Sequence, residues 1–433
     1  MSTLIQHNSS GGAFAKDFFG FSSSDIIILL VENKNYLVTW YITLIGFLGI
    51  FSTTISKNPV LPLFVKGLGG SDSVLGIIAA ASPFAGIIFS FPVGFLADKI
   101  GKRKLLIISG FIFTLAPLLY LIVNNPLLLI PIRFFHGMAT AIMGPVASAI
   151  IISFFEKNKG EKLGLYSSAT LFGRTLAPLL GGFLISFFAG YSGLFNYRIV
   201  YLTAFVLSLP IIFLSLLIPK EPKNEVIVSK FSLGEMLLAL KKFLRLGVVV
   251  STATIDMATY FIYGVLEAYL PLLLIQKHVP ASQIGLLFSI QVVSIALTKP
   301  FFGKLADHID KRLQILGGII ILMITTSLIP LSPNYYVIIV DVLFFGLGMS
   351  LSTVATSTYI AENVAKMELA TSLGILSAIM DVGQSLGPLL TGFVVTLYSY
   401  SIGFYFSGAV ALLSAFFFYL ETYHHRTVSN NAH

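Results

Sequence analysis

Twelve apolar stretches, each long enough to cross a bilayer and parted by short polar turns, leave this chain of 433 residues few folds to choose from. A helical crossing needs about 20 mostly apolar residues. Inside hydrocarbon, every backbone N–H and C=O must find a partner within the protein, which helices achieve along their own length. Cutting the sequence at charged or Pro/Gly/Asn-rich turns places the stretches at 36–58, 73–97, 104–124, 127–154, 163–189, 197–218, 247–275, 282–302, 313–331, 335–358, 369–397 and 402–421. Turns as short as Asn124-Asn125-Pro126 and Ser332-Pro333-Asn334 force antiparallel neighbours. Composition agrees: 56% of residues are hydrophobic and 11% charged, whereas roughly a quarter of a soluble domain is charged. The expectation is an all-α membrane protein of twelve transmembrane helices, numbered here as spans 1 to 12.

The charges test that layout. Of 27 Lys and Arg, 20 fall in tails and loops on the side that holds both termini. Three (Lys66, Arg198, Lys277) fall on the other side, and four (Lys57, Arg133, Arg174, Lys299) lie in spans or at their ends. The positive-inside rule then makes both termini cytoplasmic. The net charge of +8 is topogenic on this reading, and nucleic acid is not an expected partner. With no cysteine, disulfides and thiol chemistry are excluded. The histidines show no paired ligand spacing, so neither a metal nor another cofactor is expected. The N-terminus does not read as a cleavable signal.

The two halves of the sequence repeat one another. At a shift of 209, Leu61-Pro62-Leu63 matches Leu270-Pro271-Leu272, Gly76 matches Gly285, and Gly94-Phe95-Leu96-Ala97-Asp98 matches Gly303-Lys304-Leu305-Ala306-Asp307. At a shift of 210, Gly173 matches Gly383 and Pro178-Leu179-Leu180 matches Pro388-Leu389-Leu390. Pro, Gly and Asp identities are hard to produce by chance in apolar sequence. The predicted organisation is a tail (1–35), a six-helix bundle (36–218), a central loop (219–246), a second six-helix bundle (247–421) and a tail (422–433). Ser232 to Glu235 reads as a capping box, which predicts a short surface helix within that loop, the alternative being a solvated linker. Parallel repeats of this kind place a site on the axis between them.

Three motifs carry a family resemblance. Gly94 to Arg103, between spans 2 and 3, matches G-x-L-a-D-[RK]-x-G-[RK]-[RK] at Gly94, Asp98, Gly101, Lys102 and Arg103. Arg133 with Gly137 in span 4 matches R-x-x-x-G. In span 5, Gly173, Pro178, Gly181 and Gly182 match G-x-x-x-G-P-x-x-G-G, with Ala177 in place of the Gly before Pro; span 11 repeats the pattern around Gly387-Pro388. On these residues the chain resembles the major facilitator superfamily, and within it the twelve-span drug:proton antiporters. The resemblance implies two pseudo-symmetric six-helix bundles and a transporter rather than an enzyme. It also implies an Asp98 that docks one half on the other, an Arg133 linked to proton transfer, and a bent, closely packed span 5. A mid-span acid common in the first span of drug exporters is missing here.

Ionisable residues inside a membrane are costly and tend to mark function. Arg174 and Asp381 lie about a dozen residues from the ends of spans 5 and 11, roughly 18 Å deep and near mid-bilayer. Asp256 lies somewhat shallower in span 7. A proton carrier needs a carboxylate whose protonation switches with its surroundings, which makes Asp256 and Asp381 the candidates and Arg133 and Arg174 their tuning cations. Glu267 and Lys57 lie near the outer ends of symmetry-related spans 7 and 1, which suits a mouth-closing pair or plain solvation better than transport chemistry. Trp40, Tyr41, Tyr260, Tyr263 and Glu267 are candidate cavity residues. The functional expectation is export of small amphipathic or drug-like molecules by proton antiport, acting as a monomer in the cell membrane with substrate, protons and lipid as partners. The runner-up is a proton-coupled symporter for an organic anion or other metabolite.

Overall fold

A computed structural model of the chain describes residues 23–155, 158–191, 193–219, 241, 247–363 and 369–430. It contains twelve helices long and apolar enough to span a membrane. Span 1 is Leu37–Gly67, in which a helix ending at Ile55 gives way to a second, Val60–Gly67, across a break at Asn58 and Pro59. Spans 2 to 6 are the helices Asp72–Ile100, Lys102–Leu121, Leu129–Phe154, Lys159–Phe187 and Phe195–Leu217. Spans 7 to 12 are Gly247–Gln276, Ala281–Ala306, Lys311–Leu328, Tyr335–Asn363, Leu369–Leu397 and Tyr400–Asn430.

The end helices overrun their apolar stretches. The first begins at Ser23 and the last runs to Asn430, so residues 23–35 and 422–430 are helical where tails were expected. Neither segment contains Gly or Pro to stop a helix once it has nucleated. The surface helix expected within 219–246 falls outside the described residues.

Loop chemistry explains where the helices reverse. Gly101 adopts φ 98° between spans 2 and 3, a conformation that costs a side-chain-bearing residue but not glycine. At the equivalent point of the second half, Asp310 has φ −60° and caps span 9 by accepting from the Arg312 N–H at 2.9 Å. The second copy of the motif therefore turns by a different local device, which is why its second glycine is dispensable.

The core shows how the halves meet. One apolar cluster joins Phe51, Leu61 and Phe64 of the first half to Ile262, Leu266 and Leu287 of the second. Toward the face that holds both termini, the core divides. Val38, Leu106 and Ile150 pack within the first half, while Val249, Ile360 and Leu376 pack within the second. Large apolar side chains such as Phe111, Ile122, Leu297 and Leu413 are exposed on the bundle, where the bilayer supplies the apolar surroundings.

Two pseudo-equivalent glycine crossings hold the halves together. In one, a Cβ on Gly285 of span 8 would collide with the Pro178 carbonyl and the Cα of Gly182 in span 5. In the other, a Cβ on Gly76 of span 2 would collide with the Pro388 carbonyl of span 11, and one on Gly392 with the Asp72 carbonyl. These are the positions the repeat aligns. Without side chains there, the helix backbones reach contact distance.

Candidate functional site

Between the halves lies a cavity of about 640 Å³, lined by spans 1, 2, 4, 5, 7, 8, 10 and 11. That volume suits a drug-sized ligand. The outer end is shut by bonds from one half to the other. Tyr269 Oη donates to the Asp72 carbonyl (3.1 Å), Tyr400 Oη meets Asp72 Oδ1 (2.8 Å), and the Ser73 N–H donates to Thr396 Oγ1 (2.9 Å). The Ser282 N–H donates to Ser186 Oγ (2.9 Å), and Ser289 Oγ donates to the Thr175 carbonyl (2.6 Å). Lys66 holds Asp72 from beside the gate at 2.8 Å. At the other end the lining reaches exposed Ser90, Ser167, Lys299 and Pro300. The cavity opens toward the face that holds both termini.

At its closed end, Lys57 pairs with Glu267, whose carboxylate also accepts from Asn58 Nδ2 (2.9 Å) and Gln384 Nε2 (3.0 Å). Lys57 and Glu267 stand 210 residues apart, one residue off the shift of 209 that aligns spans 1 and 7, so the pair joins nearly equivalent points of the two halves, as expected of a mouth-closing contact. Removing one member of a fully buried pair costs about 3–5 kcal/mol. Lys57 is 22% exposed, so Glu267→Gln is expected to cost less, about 2–3 kcal/mol. Thermal unfolding of the purified protein checks this, and the exchange Lys57→Glu with Glu267→Lys is expected to recover most of the loss.

Asp381 faces the cavity from span 11 and lies against span 2, where a Cβ added to Gly86 would come within 2.6 Å of its Oδ2. Among the described residues it makes no ion pair within 4 Å. Arg133 and Arg174 both line the cavity, as do Tyr260 and Tyr263, whose rings lie 6.2 Å apart.

Other expected residues sit elsewhere. Asp256 is sealed between spans 7 and 10, accepting from Thr356 Oγ1 at 2.7 Å, and is absent from the lining. Trp40 is 48% exposed on the bundle surface, and Tyr41 packs beside the first half's own core. Position along the helices accounts for all three. Asp256 shares the side of span 7 that carries Tyr260 and Tyr263, but it lies one to two turns nearer the Gly247 end, where Thr356 of span 10 closes over it. Trp40 and Tyr41 lie along span 1 well before its cavity-facing segment from Ile50 to Asn58.

The motif residues have structural partners. Arg103 Nη2 donates to the Leu216 carbonyl at 2.6 Å, tying span 3 to the end of span 6. Gly173 packs against the Phe47 carbonyl of span 1, Gly181 against Ile55, and Gly182 against span 8. Gly94 and Asp98 lie in helical backbone, with side-chain surroundings outside the described residues. Sequence reasoning missed Gln291 and Gln384, both in the lining. The repeat held a signal for the second, since Gln384 stands at a shift of 210 from Arg174.

The Major Facilitator Superfamily model matches residues 42–280 and again 254–433, covering both halves. This chain is a major facilitator superfamily transporter. The superfamily relatives include an uncharacterized MFS-type transporter of Methanocaldococcus jannaschii, 24% identical over 90% of this chain and 98% of that protein. They also include the quinolone resistance protein NorA of Staphylococcus aureus, 24% identical over 83% of this chain and 89% of that one. Among solved structures, a bacterial homolog of the human lysosomal transporter Spinster, inward-facing and unoccupied, superposes with a TM-score of 0.75. It covers 90% of this transporter and 97% of its own chain at 16% identity. The superfamily's members are transporters, not enzymes, and twelve apolar helices make this one a multi-pass membrane protein.

Proposed function

We propose that this transporter exports small amphipathic or drug-like molecules in exchange for protons, by alternating access through the central cavity. Asp381 carries the proposal. It is a cavity carboxylate near mid-bilayer, outside any ion pair among the described residues, and it sits at the span 2–span 11 contact between the halves. A carboxylate so placed changes its proton affinity when the halves rock and its surroundings dry or wet. Lys57 is the cation that acts on it, Arg174 and Arg133 line the same cavity, and Tyr260 and Tyr263 offer aromatic faces to substrate. Asp256, sealed against Thr356 and absent from the cavity lining, is assigned no part in the cycle. The relationship to NorA supports export over import, and the clustering of Lys and Arg supports a cell-membrane protein with cytoplasmic termini and a cytoplasm-facing cavity. The protein works as a monomer, since each chain encloses a complete cavity.

Efflux of a fluorescent quinolone and of ethidium from loaded cells tests this reading. Wild type and Asp256→Asn are expected to drive at least one probe out against its concentration gradient, and a protonophore or Asp381→Asn to abolish that uphill efflux. Efflux indifferent to both protonophore and Asp381→Asn contradicts the proposal.

A further inference from the structure

We propose that the transported molecule carries an anionic headgroup, drawn past Gln291 of the second half and received at the closed end of the cavity by Arg133 of the first. The inference rests on the cavity being the substrate site, but not on the direction of proton flow. Four cations and two carboxylates line the space: Lys57, Arg133, Arg174 and Lys299 against Glu267 and Asp381. Lys57 and Glu267 neutralise one another. That leaves three cations facing Asp381, and among the described residues none of the three has a carboxylate within 4 Å.

The donors are the unbalanced part. Arg133 is 1% exposed and its Nε and Nη1 have no acceptor; its buried neighbours Tyr120, His136 and Tyr201 carry no counter-charge. Gln291, about ten ångströms nearer the mouth, is also 1% exposed, and its Nε2 has no acceptor. The remaining unsatisfied groups of the lining are a hydroxyl, Thr140 Oγ1, and one amide oxygen, Asn58 Oδ1. Of the five orphan atoms, three are therefore N–H donors. A buried guanidinium without a counter-charge is costly, and its planar fork matches a carboxylate, sulfonate or phosphate. A ligand oxyanion supplies both the missing charge and the missing acceptors.

The cations also form a path. Measured along their helices from the open face, Lys299, Arg174 and Arg133 lie roughly 10, 22 and 32 Å deep. An anion entering at the mouth meets a positive charge at each stage and ends at the deepest. Tyr260, Tyr263, Phe288 and Val292 line the same volume and provide the apolar wall for an aryl or alkyl body. The substrate class is an amphipathic organic anion.

The natural chain has no cysteine, so a single Ser167→Cys at the cavity mouth reports occupancy as slowed alkylation by a maleimide. The probes are a matched set in which one naphthyl body carries a carboxylate, a neutral carboxamide or an ammonium. The carboxylate is expected to protect about ten- to hundred-fold more tightly than the carboxamide, the margin of charge-assisted hydrogen bonds. Arg133→Gln is expected to remove most of that margin, and Gln291→Leu a smaller part. Arg133→Gln is also expected to raise the melting temperature of the empty protein, because it removes an unpaired buried charge; a purely structural arginine would lower it. Equal protection by carboxylate and carboxamide, or strongest protection by the ammonium, overturns the anion inference and leaves the cavity reading standing. If no member of the set protects, the cavity reading itself fails, and the inference with it.

Discussion

Replacing Asp381 with Asn is expected to abolish uphill transport while leaving downhill exchange of substrate across the membrane. The reasoning is thermodynamic. A gradient of one pH unit is worth about 1.4 kcal/mol per proton, enough for about tenfold accumulation when one proton moves per substrate molecule. A carrier that has lost its titrating group can still rock with substrate bound, but it has no means of drawing on that gradient. Asn preserves the size of the side chain, and with it the close packing on Gly86, so a loss of coupling is separable from a loss of fold. In vesicles under an imposed pH gradient, the wild type should reach about tenfold accumulation per pH unit and Asp381→Asn a ratio near one. Asp256→Asn, altering a residue sealed against Thr356, should behave as wild type in accumulation.

The second large effect is expected at a residue with no chemistry. Gly285→Val places a branched side chain where the Pro178 carbonyl and the Cα of Gly182 already sit. Overpacking of this kind costs about 1–3 kcal/mol. Under alternating access the cost falls on the state closed at the outer end, in which Gly285 meets Pro178 and Gly182. The equilibrium is expected to shift about 5- to 150-fold toward the outward-open state, with transport falling in step. Spin labels on Tyr191→Cys and Tyr398→Cys, both exposed at the outer face, read the opening directly. The absence of native cysteine makes that pair clean. Gly144→Ala serves as the control, since a Cβ there meets nothing within 4 Å. An unchanged distance distribution in Gly285→Val would show that this crossing does not set the conformational balance.

Much of the architecture was legible from apolar run length, the segregation of Lys and Arg, and the Pro and Gly identities of the repeat. The same repeat located the interface: Gly76 with Gly285 and Pro178 with Pro388 proved to be the two crossings. The Lys57–Glu267 pair was readable because both residues sit near the outer ends of equivalent spans. What stayed hidden is rotation about helix axes and what packs over each depth. In a soluble helix the polar face marks the outside, but a span packed among apolar neighbours and lipid shows a nearly uniform surface in sequence. Asp256 and Asp381 are both deep acids by that measure; only the packing shows that one faces Thr356 and the other the cavity. Trp40 misled for the same reason, since an aromatic suits lipid as well as it suits a pocket. Gln291 gave no warning, because a neutral amide in a span carries no charge to attract notice.

The sign of coupled proton movement tests the proposed exchange most directly. Purified transporter is reconstituted with a pH-sensitive dye inside the vesicles, and the quinolone is applied as a gradient across an initially pH-matched membrane. Movement of the quinolone in one direction should drive protons in the other, and Asp381→Asn should leave the dye silent. Protons that travel with the quinolone, or a dye response that survives Asp381→Asn, would contradict antiport through this carboxylate.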